Sequence, residues 1–248
     1  MNAFLKTSPL ALACLFRLIA HAENFQFVDD SRAAVCTNGE EIAEWRGRGG
    51  VALVPVHAGE AGWRAPLCAQ GTVAFGVDAT PLALQENMTS LVSRVFVVAT
   101  ATNLQERSTL LFAGTSLWLE NGAAGMTLAP ALANGSSAAI DGTVGGALAQ
   151  NCRFLAEITL PAPVRVCDVF IGGHAASPLW RRGWEGAIHE VVMLGVDATG
   201  QEAEMVRAFL ANYWQIPDAP ESPPEAAQAL RRLGIATRGF YGSKMILR

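Results

Sequence analysis

Residues 184–194 read WEGAIHEVVML and residues 199–217 read TGQEAEMVRAFLANYWQIP, and these two neighbouring segments decide the fold. The first is an apolar run bounded by glycine, which predicts a buried strand over residues 187–194. The second opens as a capping box, from Thr199 to Glu202, and its apolar residues recur at helical spacing as far as its closing proline. A single amphipathic helix that follows the last strand must pack on the sheet.

Upstream of this pair, short apolar runs alternate with glycine, proline and asparagine. Their spacing is typical of an antiparallel sandwich and not of alternating strand–helix units. The dipeptide Asn121-Gly122 is a hairpin signal. The predicted strands are residues 92–100, 109–112, 116–120, 126–128, 137–140, 152–160, 164–171 and 187–194.

Four residues of the closing strand, Trp184, Gly186, Ile188 and Glu190, form the pattern Trp-x-Gly-x-Ile-x-Glu. This strand and the helix after it resemble the closing segment of concanavalin A-like (laminin-G-like) jelly-roll domains. Those domains typically end in such a strand and in a helix that finishes in Tyr-Leu or a close variant. The resemblance implies that Trp184 and Trp214 pack in the core.

Two upstream stretches are similar to other parts of the same family. Residues 44–50, EWRGRGG, resemble its early Trp-x-Asp-x-Ser-Gly loop, with Gly47 in place of the aspartate. Residues 73–78, VAFGVD, resemble its Phe-Asp-Gly-x-Asp strand end, with Gly76 in place of the first aspartate. The resemblance implies an all-β fold, a two-sheet antiparallel jelly-roll sandwich with one C-terminal helix packed on it. Members of this fold bind glycans, hydrolyse them or supply a rigid surface.

We expect residues 1–217 to form this sandwich and residues 218–248 to form a tail. Closely spaced prolines predict a linker, residues 225–233 a short helix, and the remainder is basic with no obvious core to join. Because such a tail does not easily bury itself on a finished sandwich, we expect it to contact other subunits of a larger assembly. The candidates for that contact are Arg231, Arg232, Phe240 and Tyr241.

The residues do not predict catalysis. The retaining glucanases of this fold need two carboxylates about 5 Å apart, and their signature Glu-x-Asp-x-x-Glu is absent. Glu185 and Glu190 are five residues apart, which places them on opposite faces of a regular strand. The pattern Gly-x-Ser-x-Gly does not occur either. We therefore expect no enzyme activity, and we interpret Glu190 as a structural carboxylate that accepts from a backbone or side-chain donor.

Glycan binding needs an exposed aromatic ring beside polar groups that bond to hydroxyls. In residues 116–121, strand alternation places Trp118 and Glu120 on the face opposite two leucines. The loop over residues 172–183 combines a histidine, a tryptophan and two arginines. The alternative for Trp118 and for Trp180 is core packing or a subunit contact. The glycan-binding candidates are Trp118, Glu120, Asn121, His174, Trp180, Arg181 and Arg182.

Composition limits the partners. The 248 residues carry 18 Lys+Arg and 22 Asp+Glu, a net charge of -4, with no long basic run, so neither nucleic acid nor a membrane surface is expected. Five cysteines without a Cys-x-x-Cys pair do not suggest a zinc site or a disulfide framework. Some proteins of the resembling family hold calcium, but the loop aspartates here show no ligand spacing. No metal or cofactor is predicted.

The N-terminus decides between two locations. Residues 9–16 are apolar and a short Ala-His-Ala sequence ends at Ala22, as in a secretory signal, but Arg17 interrupts the apolar run. We expect an uncleaved first strand and a non-catalytic glycan-binding or surface-display protein at the surface of a virion or similar particle. One alternative is a secreted or periplasmic carbohydrate-binding protein or glycoside hydrolase of the same fold, with a Cys152–Cys167 bridge. Another is a purely structural sandwich without ligand.

Overall fold

The computed structural model describes residues 25–28, 39–47, 52–57, 59–69, 72–85, 90–105, 108–113, 117–122, 125–128, 135–166, 168–173 and 183–235. These ranges hold fifteen strands and two helices. In chain order the strands are β1 (Phe25–Val28), β2 (Trp45–Arg46), β3 (Ala52–Pro55), β4 (Leu67–Ala69), β5 (Thr72–Phe75), β6 (Leu82–Leu84), β7 (Ser90–Ala101), β8 (Thr109–Ala113), β9 (Leu117–Gly122), β10 (Gly125–Leu128), β11 (Ser137–Ile140), β12 (Thr143–Val144), β13 (Arg153–Val166), β14 (Val169–Ile171) and β15 (Gly186–Gly195). The helices are α1 (Gly200–Tyr213) and α2 (Ala226–Arg232).

The strands form two antiparallel sheets, so the all-β prediction is confirmed. Sheet A has the order β12-β11-β13-β7-β15-β5-β4, and β1 pairs with the free part of β15 beyond β5. Sheet B has the order β10-β9-β8-β14-β6-β3-β2. Leu53, Leu82 and Leu119 of sheet B share one buried cluster with Val97 and Ile158 of sheet A, which shows that the two sheets pack face to face.

The outer face of sheet A is covered by both helices. Phe96 and Val192 from the sheet are buried together with Val206 and Phe209 of α1 and Leu230 of α2. The capping box predicted at the start of α1 is present, because Thr199 and Glu202 each accept from the other's backbone N–H. Among the described residues, neither helix has the length and apolarity that a bilayer crossing requires.

The expectation that the tail has no core to join was wrong for residues 226–235. Ala226, Leu230, Leu233 and Ile235 are all buried in the cluster that lies between sheet A and α1. This segment has a core to join, since α2 packs against α1 and its apolar side chains complete the cluster that α1 forms with sheet A. The short helix itself was predicted correctly. Residues 236–248 lie outside the described residues.

Two strand predictions need correction. Residues 152–160 and 164–171 do not form two strands of that length, because β13 continues through Pro161 and Pro163 and only the short β14 follows. The prolines are tolerated because the ladder with β7 is irregular between Thr159 and Val164. The pairing of β13 with β11 also ends at Thr159, so Pro161 and Pro163 are not required to donate a backbone N–H to β11.

The hairpin predicted from Asn121-Gly122 is present, but these two residues do not form its turn, which follows them in the sequence. Both residues belong to β9, and Gly122 is the register partner of Gly125 in β10. Residues 123 and 124 therefore connect the strands. Asn121 stays in the strand, where its side-chain amide donates to the Gln105 carbonyl oxygen at 3.0 Å.

Candidate functional site: the outer face and one end of sheet B

An aromatic row crosses the outer face of sheet B, on the side away from the helices. Leu111, Ala113, Val169 and Ile171 belong to the inter-sheet core, so the residues between them point outward. Phe112 and Phe170 occupy these outward positions and are register partners, with ring centroids 5.9 Å apart. Both rings are half-buried.

Trp118 occupies the next position of the same row. Its register partner across the β8–β9 ladder is Phe112, and its neighbour Leu119 lies in the core. The predicted alternation of β9 is therefore confirmed for the backbone, which places positions 118 and 120 on the outer face. Three aromatic positions thus follow one another across β9, β8 and β14, about 5 Å apart from strand to strand.

The two polar candidates on β9 have different surroundings. Glu120 is half-buried on the outer face and its register partner is Thr109. Asn121 is buried on the opposite, core-facing side, where its amide holds β9 to the segment before β8. We therefore correct the assignment of Asn121, because a sugar would have to displace that buried bond to reach it.

The predicted binding loop is rooted next to these residues. His174, Trp180, Arg181 and Arg182 lie outside the described residues, but both ends of their loop are described. The Gly172 N–H donates to the Leu110 carbonyl oxygen at 3.0 Å, and Gly183 forms a bridge with Thr109. Because Thr109 is also the register partner of Glu120, the loop and the β9 candidates meet at one end of sheet B.

Glycine is required where this loop begins. Gly172 has a φ of +77°, and a Cβ there would lie 2.2 Å from the ring of Phe75. At the next position, a Cβ on Gly173 would lie 3.2 Å from Pro81. The loop therefore leaves the sandwich close against the connection between β5 and β6.

A buried polar cluster at the far side of the molecule was not predicted as a group. It lies under the C-terminal end of α1, where Thr100 Oγ1 is 2.9 Å from His189 Nε2 and Trp214 Nε1 donates to Glu190 Oε2 at 2.6 Å. Arg153 donates to the Trp214 carbonyl oxygen at 2.6 Å and lies over its ring, 5.3 Å from the centroid. This cluster confirms that Glu190 accepts from a side-chain donor.

A β-bulge creates the cluster. The ladder between β15 and β7 shifts between Ile188 and Glu190, so that His189 is an extra residue and Glu190 faces outward opposite Val98. Sequence alternation alone does not reveal such an insertion. Because of the bulge, Glu185 and Glu190 no longer lie on opposite faces of the strand, as their spacing in a regular strand had predicted. At a strand rise of about 3.3 Å per residue, their backbone positions are still more than about 10 Å apart.

Burial determines the charge state of His189. The ring is 5% exposed, and desolvation together with the positive charge of Arg153 lowers its pKa from 6.5 to about 4. His189 is therefore neutral at pH 7. Burial and the nearby Glu190 charge both raise the pKa of the Tyr213 hydroxyl.

The remaining candidates have mostly structural surroundings. Trp184 is 1% exposed in the inter-sheet core, and Trp214 packs against the helix-covered core, as the resemblance implied. Arg232 forms an ion pair with Glu202, which lowers the pKa of that carboxyl to about 2, while Arg231 is exposed and donates to the Ala227 carbonyl oxygen. Phe240 and Tyr241 lie outside the described residues.

Two expectations concern metal ions and disulfides. The part of the chain that the structure describes contains no group of three or more His, Cys, Asp or Glu side chains arranged to hold a metal ion. Cys152 is an exposed free thiol, and its proposed bridge partner Cys167 lies outside the described residues.

No protein-family model matches the chain, and no curated protein or solved structure was found to be significantly similar to it.

Proposed function

We propose that the protein is a non-catalytic glycan-binding protein built on a jelly-roll sandwich, and that it binds sugars on the outer face and loop end of sheet B. The observation that carries the proposal is the register of three aromatic positions, Trp118, Phe112 and Phe170, on three neighbouring strands. A row of rings on a rigid sheet suits the apolar C–H faces of successive sugars.

The surroundings of the row support this function. Glu120 is half-buried on the outer face two positions from Trp118, and its carboxylate is an oxygen acceptor for sugar hydroxyls. The loop that carries His174, Trp180, Arg181 and Arg182 is rooted at the same end of the sheet. A binding surface of this kind combines apolar rings with a few polar groups that set orientation.

The proposed jelly-roll topology rests on the two facing antiparallel sheets and on the match of β15 and α1 to the closing pattern of that fold. The absence of catalysis rests on the carboxylates. The pair suggested by spacing, Glu185 and Glu190, is too widely separated for the roughly 5 Å that a retaining hydrolase needs, and Glu190 is engaged by Trp214.

A role in a larger assembly, such as a phage-like particle, remains part of the proposal. Its argument now rests on residues 236–248, which include Phe240 and Tyr241, because residues 218–235 pack on the sandwich of their own chain. Should no sugar bind, the same rigid face would favour a purely structural sandwich.

The test is a titration of the full chain with a panel of neutral, acidic and amino oligosaccharides, measured by calorimetry. We expect at least one class to bind, and we expect Trp118→Ala to weaken that binding about tenfold or more while Trp118→Phe retains most of it. Tyr213→Ala is the matched control, because Tyr213 is an exposed aromatic residue on the helix side. Absence of binding to every class, or equal loss in the control, would overturn the proposal.

A further inference from the structure

Another aromatic residue, Trp63, lies at the loop end of sheet B, in the connection between β3 and β4. This connection makes two successive turns, in which Glu60 N–H donates to the His57 carbonyl oxygen at 3.1 Å and Trp63 N–H to the Glu60 carbonyl oxygen at 3.2 Å. Gly59 and Gly62, with φ of +81° and +87°, supply the left-handed backbone that the turns need. The turns bring three chemically useful side chains together.

Those side chains are His57, Glu60 and Trp63. The rings of His57 and Trp63 pack with centroids 5.4 Å apart, and Trp63 is half-buried. His57 Nδ1 lies 3.1 Å from Glu60 Oε2, and the Glu60 side chain remains 60% exposed. The half-buried His57 ring therefore adjoins both an exposed carboxylate and a half-buried indole.

A neighbouring connection adds further polar groups. Arg64 N–H donates to the Asp78 carbonyl oxygen at 2.9 Å, and Thr80 N–H donates to the Arg64 carbonyl oxygen at 2.8 Å. These bonds join the Trp63 turn to the connection between β5 and β6. The side chains of Arg64 and Asp78 are both exposed.

Backbone contacts place this group at the loop end of sheet B. Val56 N–H donates to the Pro81 carbonyl oxygen at 3.1 Å, and His57 N–H donates to Thr80 Oγ1 at 3.1 Å. Pro81 is also the residue against which Gly173 packs at the root of the loop that carries Trp180. The Trp63 turn and the root of that predicted loop therefore share one support.

We infer that Trp63 and Glu60 form a sugar subsite for a neutral oligosaccharide, with Arg64 and Asp78 at its rim. The inference rests on the proposed glycan-binding function and extends it to residues that the sequence analysis did not select. The indole offers a stacking face, and the exposed Glu60 carboxylate accepts from neighbouring hydroxyls. The exposed carboxylates of Glu60 and Asp78 outnumber the one guanidinium of Arg64. Their negative charge would repel the carboxylate of a uronic or sialic acid, so a neutral sugar is favoured.

The experiment uses the full chain labelled with 5-fluorotryptophan and fluorine NMR. The resonance that Trp63→Phe removes is that of Trp63, and the one that Trp118→Phe removes is that of Trp118. We expect a neutral oligosaccharide that binds the wild-type protein to shift the Trp63 resonance. In calorimetry we expect Trp63→Ala and Glu60→Ala each to weaken that sugar about fivefold or more, whereas Glu221→Ala, an exposed carboxylate on the helix side, has no effect.

The possible outcomes distinguish failure of the Trp63 subsite from failure of the proposed glycan-binding function. Binding that shifts Trp118 but leaves the Trp63 resonance and the Trp63→Ala affinity unchanged overturns the subsite and retains the glycan-binding function. Preference for an acidic sugar that still depends on Trp63 overturns the neutral ligand class. Absence of any binding overturns both proposals. If Trp63→Ala does not fold, the resonance shift and Glu60→Ala decide the question.

Discussion

Trp214 Nε1 donates a 2.6 Å hydrogen bond to Oε2 of Glu190, a carboxylate that is only 2% exposed. The bond joins the residue that ends α1 to the bulged part of β15, the central strand that follows β7 in sheet A. A buried carboxylate is costly unless donors satisfy it, so this contact fixes where the helix ends on the sheet. It also gives a structural reason for an acidic residue in an apolar strand.

Replacing Glu190 tests this role. We expect Glu190→Ala to lower the free energy of unfolding by about 3 kcal/mol, because it removes a charge-assisted hydrogen bond and leaves the indole N–H buried. Glu190→Gln retains an acceptor oxygen and is expected to lose less. Urea unfolding followed by tryptophan fluorescence measures both values.

A double-mutant cycle with Trp214→Phe identifies the partner. Because the two groups bond to each other, the combined loss should be smaller than the sum of the single losses by about 1 kcal/mol or more. Strictly additive losses would show that Glu190 and Trp214 act independently.

His189 predicts a pH dependence of stability. Its pKa is about 4 in the folded chain against 6.5 for an ordinary histidine, so the unfolded chain binds the proton first as the pH falls. The stability linked to neutral His189 is complete above pH 6.5 and is lost between pH 6.5 and 4. The difference corresponds to about 3 kcal/mol.

The measurement is urea unfolding at several pH values from 7.5 to about 4.5, for the wild type and His189→Gln. The ring contacts Thr100 and Trp214 and lies near the charges of Arg153 and Glu190, and all four residues are unchanged in the variant, so subtraction isolates the histidine. We expect the wild type to lose more stability than the variant over this range. Parallel curves would show that His189 is not buried in its neutral form.

The sequence contained enough information for both helices, for β7 to β11, for the first part of β13 and for β15, and the reasons are local. Hydrophobic runs and a complete capping box specify β7, β8, β15 and α1 without reference to the rest of the chain. The alternation of β9 likewise places Leu119 in the core. These features depend on residue type and period alone.

Long-range features were not predictable in the same way. The bulge at His189 changes which face Glu190 occupies, and it is visible only from the register with β7. The burial of Leu230 depends on the packing of α2 against α1, which residues distant in the sequence determine. Of the candidate site, the sequence identified Trp118 and Glu120, but Phe112, Phe170 and Trp63 join it only through strand order and loop contacts.

Packing of α2 predicts that the chain is not separable at Pro217. Leu230 is fully buried in the cluster that also contains residues of α1 and sheet A, so Leu230→Ala is expected to lower the free energy of unfolding by about 2–5 kcal/mol. Gln228→Ala is the matched control, because Gln228 is exposed on the same short helix. Denaturant unfolding measures both variants.

Truncation gives an independent test of whether residues 218–235 contribute to the core that α1 forms with sheet A. A chain that ends after Ile235 should keep most of the wild-type stability, whereas a chain that ends at Pro217 should lose it and expose the outer face of sheet A. If the shorter chain unfolds at the wild-type urea concentration, residues 218–235 contribute nothing to the core.

Gly186 tests how closely β15 approaches β7. Its φ is +147°, and a Cβ there would lie 1.9 Å from the Thr100 carbonyl oxygen, a backbone atom that cannot move without disturbing β7. We expect Gly186→Ala to cost more than about 3 kcal/mol and to leave little folded protein. Gly200→Ala is the matched control, because nothing lies within 4 Å of its added Cβ and alanine favours the helix, so thermal unfolding should shift upward slightly or not at all. Equal melting temperatures for the two variants would mean that β15 and β7 do not approach each other as described.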